Sequence, residues 1–559
     1  MSTPSAALSG TNTHVFWSAN EGGGWMHLLP PTAGKRLLCI DPAGAAAWML
    51  AREAREVVRL HAPPTWPELA QVEAGRALAS ISLASLLEGA TAFGFEPFDG
   101  IVAHDPRGSS LHRGALPLLR ALLEAADRLL SPDGFVYLGL RNAGSLQAWR
   151  QRLGRSSAEP SAPLPRHEVQ ALMRLLRPTR VRSWPCLVDQ GRVVEVLTDR
   201  GYRATKNRER LAERAKERLY GRRGAPLFAP VKALLALRGE SAGPALDVLV
   251  QRTGVLRAAA GDPPPVLKQC LVFSGHKAIV SAGPPGRDDR DVVAVLAGDA
   301  LSIRGRSIEA PQLDALSRIP SVSARVPRRL DEFAFGQARC FVLERIPGVT
   351  LDVPVPPLER VTDGALAFLL QLHRDTARST SLDEAGYEHH VEPLLQAALR
   401  RNPDFEATLA RADIRLRASL AGRSWPTVFQ HGDCKIENVI YEPGSGRVLS
   451  VIDWEHARPR GLPLLDLHYL LVYNRIVRCA HWTDAIDELV VRQQWSRADE
   501  ARLRRYRAEL QLDPALEPAL RLLFLVHHVG CRIHLHRDPP LRAKVGAMLA
   551  NLVEGLPPR

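Results

Sequence analysis

The run HGDCKIENV at 431–439, followed by VIDWE at 451–455, constrains this chain more than any other feature. Thr427, Val428 and Phe429 lead into it, Val439, Ile440 and Tyr441 leave it, and the apolar stretch Val448 to Ile452 precedes Asp453. Between the last two lies EPGSG, whose Pro and Gly favour a tight turn, so a β-hairpin is predicted. His431, Asp433 and Asn438 then share one short loop, and Asp453 follows the Asn by fifteen residues. Phosphoryl transfer needs a carboxylate to orient the acceptor hydroxyl, plus an amide and a second carboxylate to hold Mg²⁺ against nucleotide phosphates. Asp433 fits the first role, and Asn438 and Asp453 fit the others. The plainer alternative makes Asp433 and Asp453 turn and cap residues of an ordinary hairpin.

Three signals stand in register here: His-Gly-Asp, an Asn five residues after the Asp, and Ile-Asp-Trp-Glu at hairpin distance. Together they resemble the aminoglycoside phosphotransferase and choline kinase branch of the protein-kinase-like fold. That resemblance implies a two-lobed fold, ATP and Mg²⁺ as cofactors, and a small-molecule hydroxyl as acceptor. GLPLLDLHYLL at 461–471 resembles the branch's helix opening, whose acid, here Asp466, buttresses the loops. Two residues after the base, where most small-molecule members differ, this chain has Lys435. Protein serine/threonine kinases carry a lysine at that place, in contact with the transferring phosphate. Lys435 is therefore a second catalytic candidate, against the alternative of a solvated loop lysine.

Residues 263–352 read as the small lobe of such a fold. LKQCLVFSG and HKAIVSAG are strand-like and end in glycine, DVVAVLAG is a continuous apolar run, and ARCFVLERIPG alternates before a Pro-Gly turn. SIEAPQLDALSRI has helical spacing that Pro311 is expected to break. The resemblance puts Glu309 in the place of the acid that pairs with a nucleotide-anchoring lysine. The strand at 291–298 lacks that lysine, and none occurs between Lys277 and Lys435. Three outcomes are open: a lysine relocated to the neighbouring strand, for which Lys277 is the candidate; an arginine such as Arg304 or Arg306; or no anchor, as in a pseudokinase that binds or regulates.

From 353 to 559 the chain is expected to form the large lobe, with helices at 464–478, 483–494, 497–510, 514–535 and 540–555. His527, His528, His534, His536 and Cys531 crowd one segment there. Their spacing points to different helix faces, so core or interface histidines are expected rather than a metal centre.

The first 200 residues differ. GKRLLCIDPAG, EVVRLHAPP, FDGIVAHDP and LLSPDGFVYLGLRN read as strands separated by helical segments, and a helix and strand pair at 166–198 would complete a parallel, doubly wound sheet. FDGIVAHD and the Leu-Ser-Pro-Asp-Gly-Phe step resemble class I S-adenosylmethionine-dependent methyltransferases. That family's first loop is glycine-rich, whereas CIDPAGAAAW keeps only Gly44, and the ribose-binding acid is replaced by His61. A degenerate methyltransferase-like scaffold is expected, without S-adenosylmethionine.

Between these parts, residues 201–262 read as a basic helical linker, with Arg203, Lys206, Arg208, Arg210, Arg214, Lys216, Arg218, Arg222 and Arg223. It supplies much of the net charge of +13 and is suited to peripheral contact with an anionic surface; without interleaved aromatics it implies no specific nucleic-acid recognition. At 559 residues, with 45% hydrophobic and 24% charged, the chain can bury several cores. Seven scattered cysteines and the lack of a signal-like or membrane-spanning stretch fit a cytoplasmic enzyme. The expectation is thus an α/β Rossmann-like domain followed by an α+β kinase-like fold, acting as a small-molecule kinase or, alternatively, as a pseudokinase-like regulatory module.

Overall fold

The computed structural model describes residues 26, 28–40, 45–51, 54–60, 78–90, 95–104, 116–141, 171–172, 174–175, 178, 180–189, 192–196, 231–239, 243–272, 277–298, 300–335, 338–350, 358–478, 481–531 and 539–556. They fall into two units, one built from residues up to 304 together with 330–345, the other from 305–329 and 346 onward.

The first unit is organised by β1 (Arg36–Ile40), β2 (Glu56–Leu60), β3 (Leu78–Ile81), β4 (Phe98–Ala103) and β5 (Leu130–Arg141). β1 pairs in parallel with β2 and β4, β2 with β3, and β4 with β5. In β1, Leu37 and Cys39 join the core on one face while Leu38 and Ile40 join the core on the other. A strand buried on both faces needs a continuous apolar run, which is why RLLCI shows no polar alternation. Helices α1 (Ala45–Ala51), α2 (Leu83–Gly89) and α3 (Leu116–Glu124) intervene between strands, giving the doubly wound character expected from the sequence.

The sheet does not stop there. β8 (Val231–Leu237) lies antiparallel between β5 and β6 (Arg180–Asp189), and β6 forms a hairpin with β7 (Arg192–Val196). The stretch expected as a helix and strand pair has helical residues at 171–172 and 174–175, and the strand after them forms a hairpin with a second strand. Part of the expected linker is a strand: VKALLAL satisfies its backbone and buries Leu234, Leu235, Ala236 and Leu237 inside the sheet, which outweighs the helix propensity of Ala, Leu and Lys. Helix α4 (Ala245–Gly254) follows it. The basic tract from 203 to 223 lies outside the described residues, as do Gly44 and His61.

β7 then pairs antiparallel with β9 (Val266–Val272), Glu195 opposite Leu271 and Val196 opposite Cys270. Through this pairing the strands expected as a small lobe, β9, β10 (Lys277–Gly283), β11 (Val292–Ala297), β12 (Arg329–Phe335) and β13 (Ala338–Glu344), continue the same sheet, thirteen strands in the order β12-β13-β11-β10-β9-β7-β6-β8-β5-β4-β1-β2-β3. The boundary expected near 263 thus runs inside one sheet. A buried ionic cluster fastens its far part. Lys268 on β9 reaches Asp288 at 3.0 Å and Asp291 at 2.9 Å, and the fully buried Asp291 also takes Arg345 at 3.1 Å. Burial pushes the Asp291 carboxyl up, and the hydrogen bond and charge of Lys268 oppose that shift.

In the second unit, helix α5 (Ala300–Leu316), whose first residues belong to the first unit, runs through Pro311 instead of breaking there. Burial of Arg306, Glu309, Ala310, Leu313 and Leu316 along it offsets the one backbone bond that proline forgoes. The hairpin predicted around the motif is β17 (Val439–Tyr441) and β18 (Val448–Val451), with Val439 opposite Val451, and the short β14 (Val349–Thr350) pairs with β17. A second small sheet joins β15 (Arg378–Ser381), β16 (Ser424–Gln430) and β19 (Arg458–Gly461). The longer helices are α6 (Leu358–Thr376), α7 (Glu392–Arg401), α8 (Glu406–Leu420), α9 (Leu465–Arg478), α10 (Arg497–Leu510), α11 (Glu517–Cys531) and α12 (Pro539–Glu554). The C-terminal helices lie close to the expected positions. Arg502 on α10 ties that helix to α6 through Glu359 at 2.7 Å and Asp363 at 2.8 Å. Among the described residues no helix is long and apolar enough to cross a membrane.

Candidate active site

β16 delivers the chain into the loop at 431–438, and the loop is fixed mainly by backbone bonds. The buried carboxylate of Asp466, in the first turn of α9, accepts the His431 N–H at 2.7 Å and the Gly432 N–H at 2.8 Å. Behind it, His373 Nε2 lies 3.4 Å from Asp466 Oδ2 and His373 Nδ1 lies 2.6 Å from the Tyr506 hydroxyl. The Tyr506 oxygen accepts the Leu464 N–H at 3.2 Å, which leaves its proton for His373 Nδ1. Gly432 has φ +82, and a Cβ there would come within 2.4 Å of the His456 carbonyl, so only glycine fits.

His431 is fully buried and spans the hairpin. Its Nδ1 accepts the Asp433 N–H at 3.3 Å and its Nε2 donates to the Ile452 carbonyl at 2.9 Å, which sets the neutral tautomer. Burial lowers its pKa, with the charges of Asp466 and Asp433 opposing. The ring rests on Trp454, centroids 4.4 Å apart, and Trp454 in turn meets Phe368 and Phe429 edge-on. The histidine thus positions the loop from beneath.

Asp433 and Lys435 stand together, Lys435 Nζ lying 2.8 Å from Asp433 Oδ2. Both are mostly buried but reachable, at 19% and 23% side-chain exposure. Burial works against the Lys435 charge, yet the Asp433 charge and hydrogen bond prevail and raise its pKa, so the ammonium persists. Asn438 donates from Nδ2 to the Asp433 carbonyl at 2.9 Å, with Asp433 Oδ2 at 3.5 Å. The Asn438 carbonyl accepts the Ile452 N–H at 2.9 Å, which brings Asp453 beside the loop.

Asp453 adopts φ +69, a left-handed conformation that a branched polar residue tolerates at a cost of about 1 kcal/mol. Its Oδ1 accepts Arg306 Nη2 at 2.6 Å, and the same nitrogen reaches Glu455 Oε2 at 2.6 Å. Arg306 also pairs with Glu309 one turn along α5, and Glu309 Oε1 accepts the Trp454 N–H at 3.0 Å. Although burial disfavours the Arg306 charge, Glu309, Asp453 and Glu455 raise its pKa above the ordinary arginine range. Asp433, Lys435, Asn438, Asp453 and Glu309 therefore belong to one unit, whereas Lys277, at the start of β10 opposite Ala297, belongs to the other.

Sequence reasoning named Arg306 only as one of several substitutes and missed His373, Tyr506 and Glu455. No local pattern marks His373 or Tyr506, because they act from 133 positions apart. The histidines of α11 are interior ones: His527 meets the Tyr469 hydroxyl at 3.0 Å, and burial drives the His528 pKa down to about 3, with Lys435 adding to the shift. Among the described residues no group of three or more His, Cys, Asp and Glu is arranged to hold a metal; His534 and His536 lie outside them.

Residues 306–510 match the family described as "Phosphotransferase enzyme family". No curated protein matches the chain. Among solved structures, an aminoglycoside phosphotransferase from Streptomyces rimosus is 18% identical, covers 51% of this chain and 98% of its own, and has a TM-score of 0.32. A macrolide 2'-phosphotransferase from Brachybacterium faecium is 17% identical, covers 56% and 98%, and has a TM-score of 0.34. A SAM-dependent methyltransferase from Archaeoglobus fulgidus is 13% identical, covers 37% and 87%, and has a TM-score of 0.25. The stretch 306–510 that matches this family carries both the His-Gly-Asp loop clamped by Asp466 and the Ile-Asp-Trp-Glu hairpin alongside it.

Proposed function

We propose that this chain is an ATP- and Mg²⁺-dependent phosphotransferase acting on a hydroxyl of a small molecule. The observation that carries the reading is the union of Asp433, Lys435 and Asn438 on one loop held by two backbone bonds to buried Asp466. Asp433 orients the acceptor hydroxyl and takes its proton as the oxygen attacks. Lys435 presents positive charge where the transferring phosphoryl oxygens gain negative charge. His431 and Asp466 keep the loop from drifting, since an error of about 1 Å in such a site costs on the order of a hundredfold in rate.

The donor set suits a hard divalent cation. Asn438 spends its N–H on Asp433, which leaves Oδ1 as an acceptor with no donor among the described residues, and Asp453 adds a carboxylate. These two residues would hold Mg²⁺, whose contribution is to neutralise phosphate charge. Glu309, paired with Arg306, completes the nucleotide side of the proposal.

A second reading has its own support. Arg306 already occupies Asp453, as a metal-independent binding or regulatory module would have it. Calorimetry decides between them: ATP should bind with Mg²⁺ and lose most of its affinity when EDTA is added. Equal affinity in EDTA supports the regulatory module and removes the metal roles of Asn438 and Asp453.

A further inference from the structure

A cavity of about 160 Å³ opens in the second unit, and Arg458, His456, His527, Cys531 and Glu455 supply its polar wall. Ile308, Leu394 and Ala397 are among its apolar lining. It lies close to the base by two independent signs. Arg458 on β19 pairs in register with Gln430 of β16, three residues before Asp433. His456, also on its wall, packs against Gly432, the residue before Asp433, where a Cβ would come within 2.4 Å of the His456 carbonyl.

The charges on this wall are unequal. Glu455 is engaged by Arg306 at 2.6 Å. Burial and the nearby Arg458, His456 and His528 drive the His527 pKa well down, so that ring is neutral, as is the Cys531 thiol. Arg458 is half-buried and forms no ion pair or side-chain hydrogen bond with any described residue. A guanidinium held in a half-open, partly apolar space without a carboxylate is costly, and an oxyanion from outside relieves that cost with paired hydrogen bonds. The same wall offers a polycation no carboxylate that is not already engaged.

Resting on the phosphotransferase reading, we propose that the cavity receives the acceptor and selects a small hydroxyl compound bearing an oxyanion, a carboxylate or a phosphate monoester, which Arg458 binds. The space corresponds to about five water volumes, so the part it encloses is a few heavy atoms. The acceptor oxygen then forms a bond to the γ-phosphorus of ATP as the bond from that phosphorus to the β–γ bridging oxygen breaks. The hydroxyl proton passes to Asp433, and ADP departs with the bond electrons.

The test uses the full chain with three probes: D-glycerate for the carboxylate source, glycerol 3-phosphate for the phosphate source, and kanamycin as a polycation. Calorimetry should show one or both anions binding and kanamycin not binding. Arg458→Ala should weaken the anion about tenfold or more, as expected for loss of a charge-assisted contact, and Arg458→Lys should restore part of it. Which anion binds identifies the source. Binding of kanamycin alone, no binding of either anion, or anion binding indifferent to Arg458→Ala with the variant folded overturns the inference. Release of ADP is measured separately on the same probes. Anion binding through Arg458 with no turnover on any probe leaves the recognition standing and counts against the transferase, whereas turnover confined to kanamycin does the reverse.

Discussion

Asp433 and Asp453 flank the same hairpin, but different kinds of bond hold them. Asp433 sits on a loop whose two preceding backbone N–H groups end on a buried carboxylate, itself backed by His373 and Tyr506. Asp453 is held by a side-chain ion pair to Arg306, in a left-handed backbone conformation. Main-chain bonds into an interior acid cannot be exchanged without opening the core. An ion pair at a half-exposed carboxylate can exchange one cation for another, with the strained backbone keeping the group aimed. One side of the hairpin is therefore built for fixed aim and the other for changing partners.

The sharpest way to break this comparison is Asp466→Ala. It strands two buried N–H groups, each costing about 1–3 kcal/mol, so thermal unfolding should shift down by the equivalent of about 3–5 kcal/mol and phosphoryl transfer should vanish. An unchanged melting temperature would show that the loop does not depend on backbone anchoring. Next comes Asp433→Asn, which should leave the melting temperature in place while turnover on an identified acceptor falls by about two to four decades. Retained turnover removes the base assignment.

On the exchangeable side, Arg306→Met should destabilise the fold by about 3 kcal/mol, because it leaves Glu309 without that partner in the interior. Lys277→Met tests the other candidate cation and should weaken Mg-ATP binding about tenfold, the worth of one charge-assisted phosphate contact. Should calorimetry find the losses reversed, the nucleotide anchor is the arginine.

A last effect is one of pH. His468 is fully buried with neither ring nitrogen hydrogen-bonded to a described residue, and burial, with Arg521 and Arg507, lowers its pKa to about 3. Its folded value lies below its unfolded one, so the unfolded chain binds the extra proton. Stability is then full above about pH 6.5 and declines as the pH falls towards 3, by up to about 1.4 kcal/mol per unit for this group. His468→Phe should flatten the acid limb of a plot of melting temperature against pH; an unaltered slope would mean the ring takes up its proton in the folded state.

What the sequence made legible follows from separation along the chain. The hairpin carrying Asn438 and Asp453 could be read because its turn and both strands lie within a few residues of one another. Lys435 beside Asp433 was likewise a matter of two positions. The union of Arg306 with Asp453 spans 147 positions and has no local signature. β8 was hidden because VKALLAL suits a helix as well as a strand, and only its neighbours β5 and β6 decide between them. Pro311 misled for the same reason, its local rule being outweighed by the burial of α5.

The pairing of β7 with β9 bears on how this protein could ever be taken apart. A chain begun at residue 263 would present the hydrogen-bonding rim of β9 to solvent, and one ended at 200 would present that of β7. Bare rims of this kind recruit other chains, so both fragments should be prone to aggregate. A gene-level cut that respects the motifs would thus run through the middle of a β-sheet, and the smallest soluble piece retaining β9 to β13 is expected to carry the N-terminal strands with it.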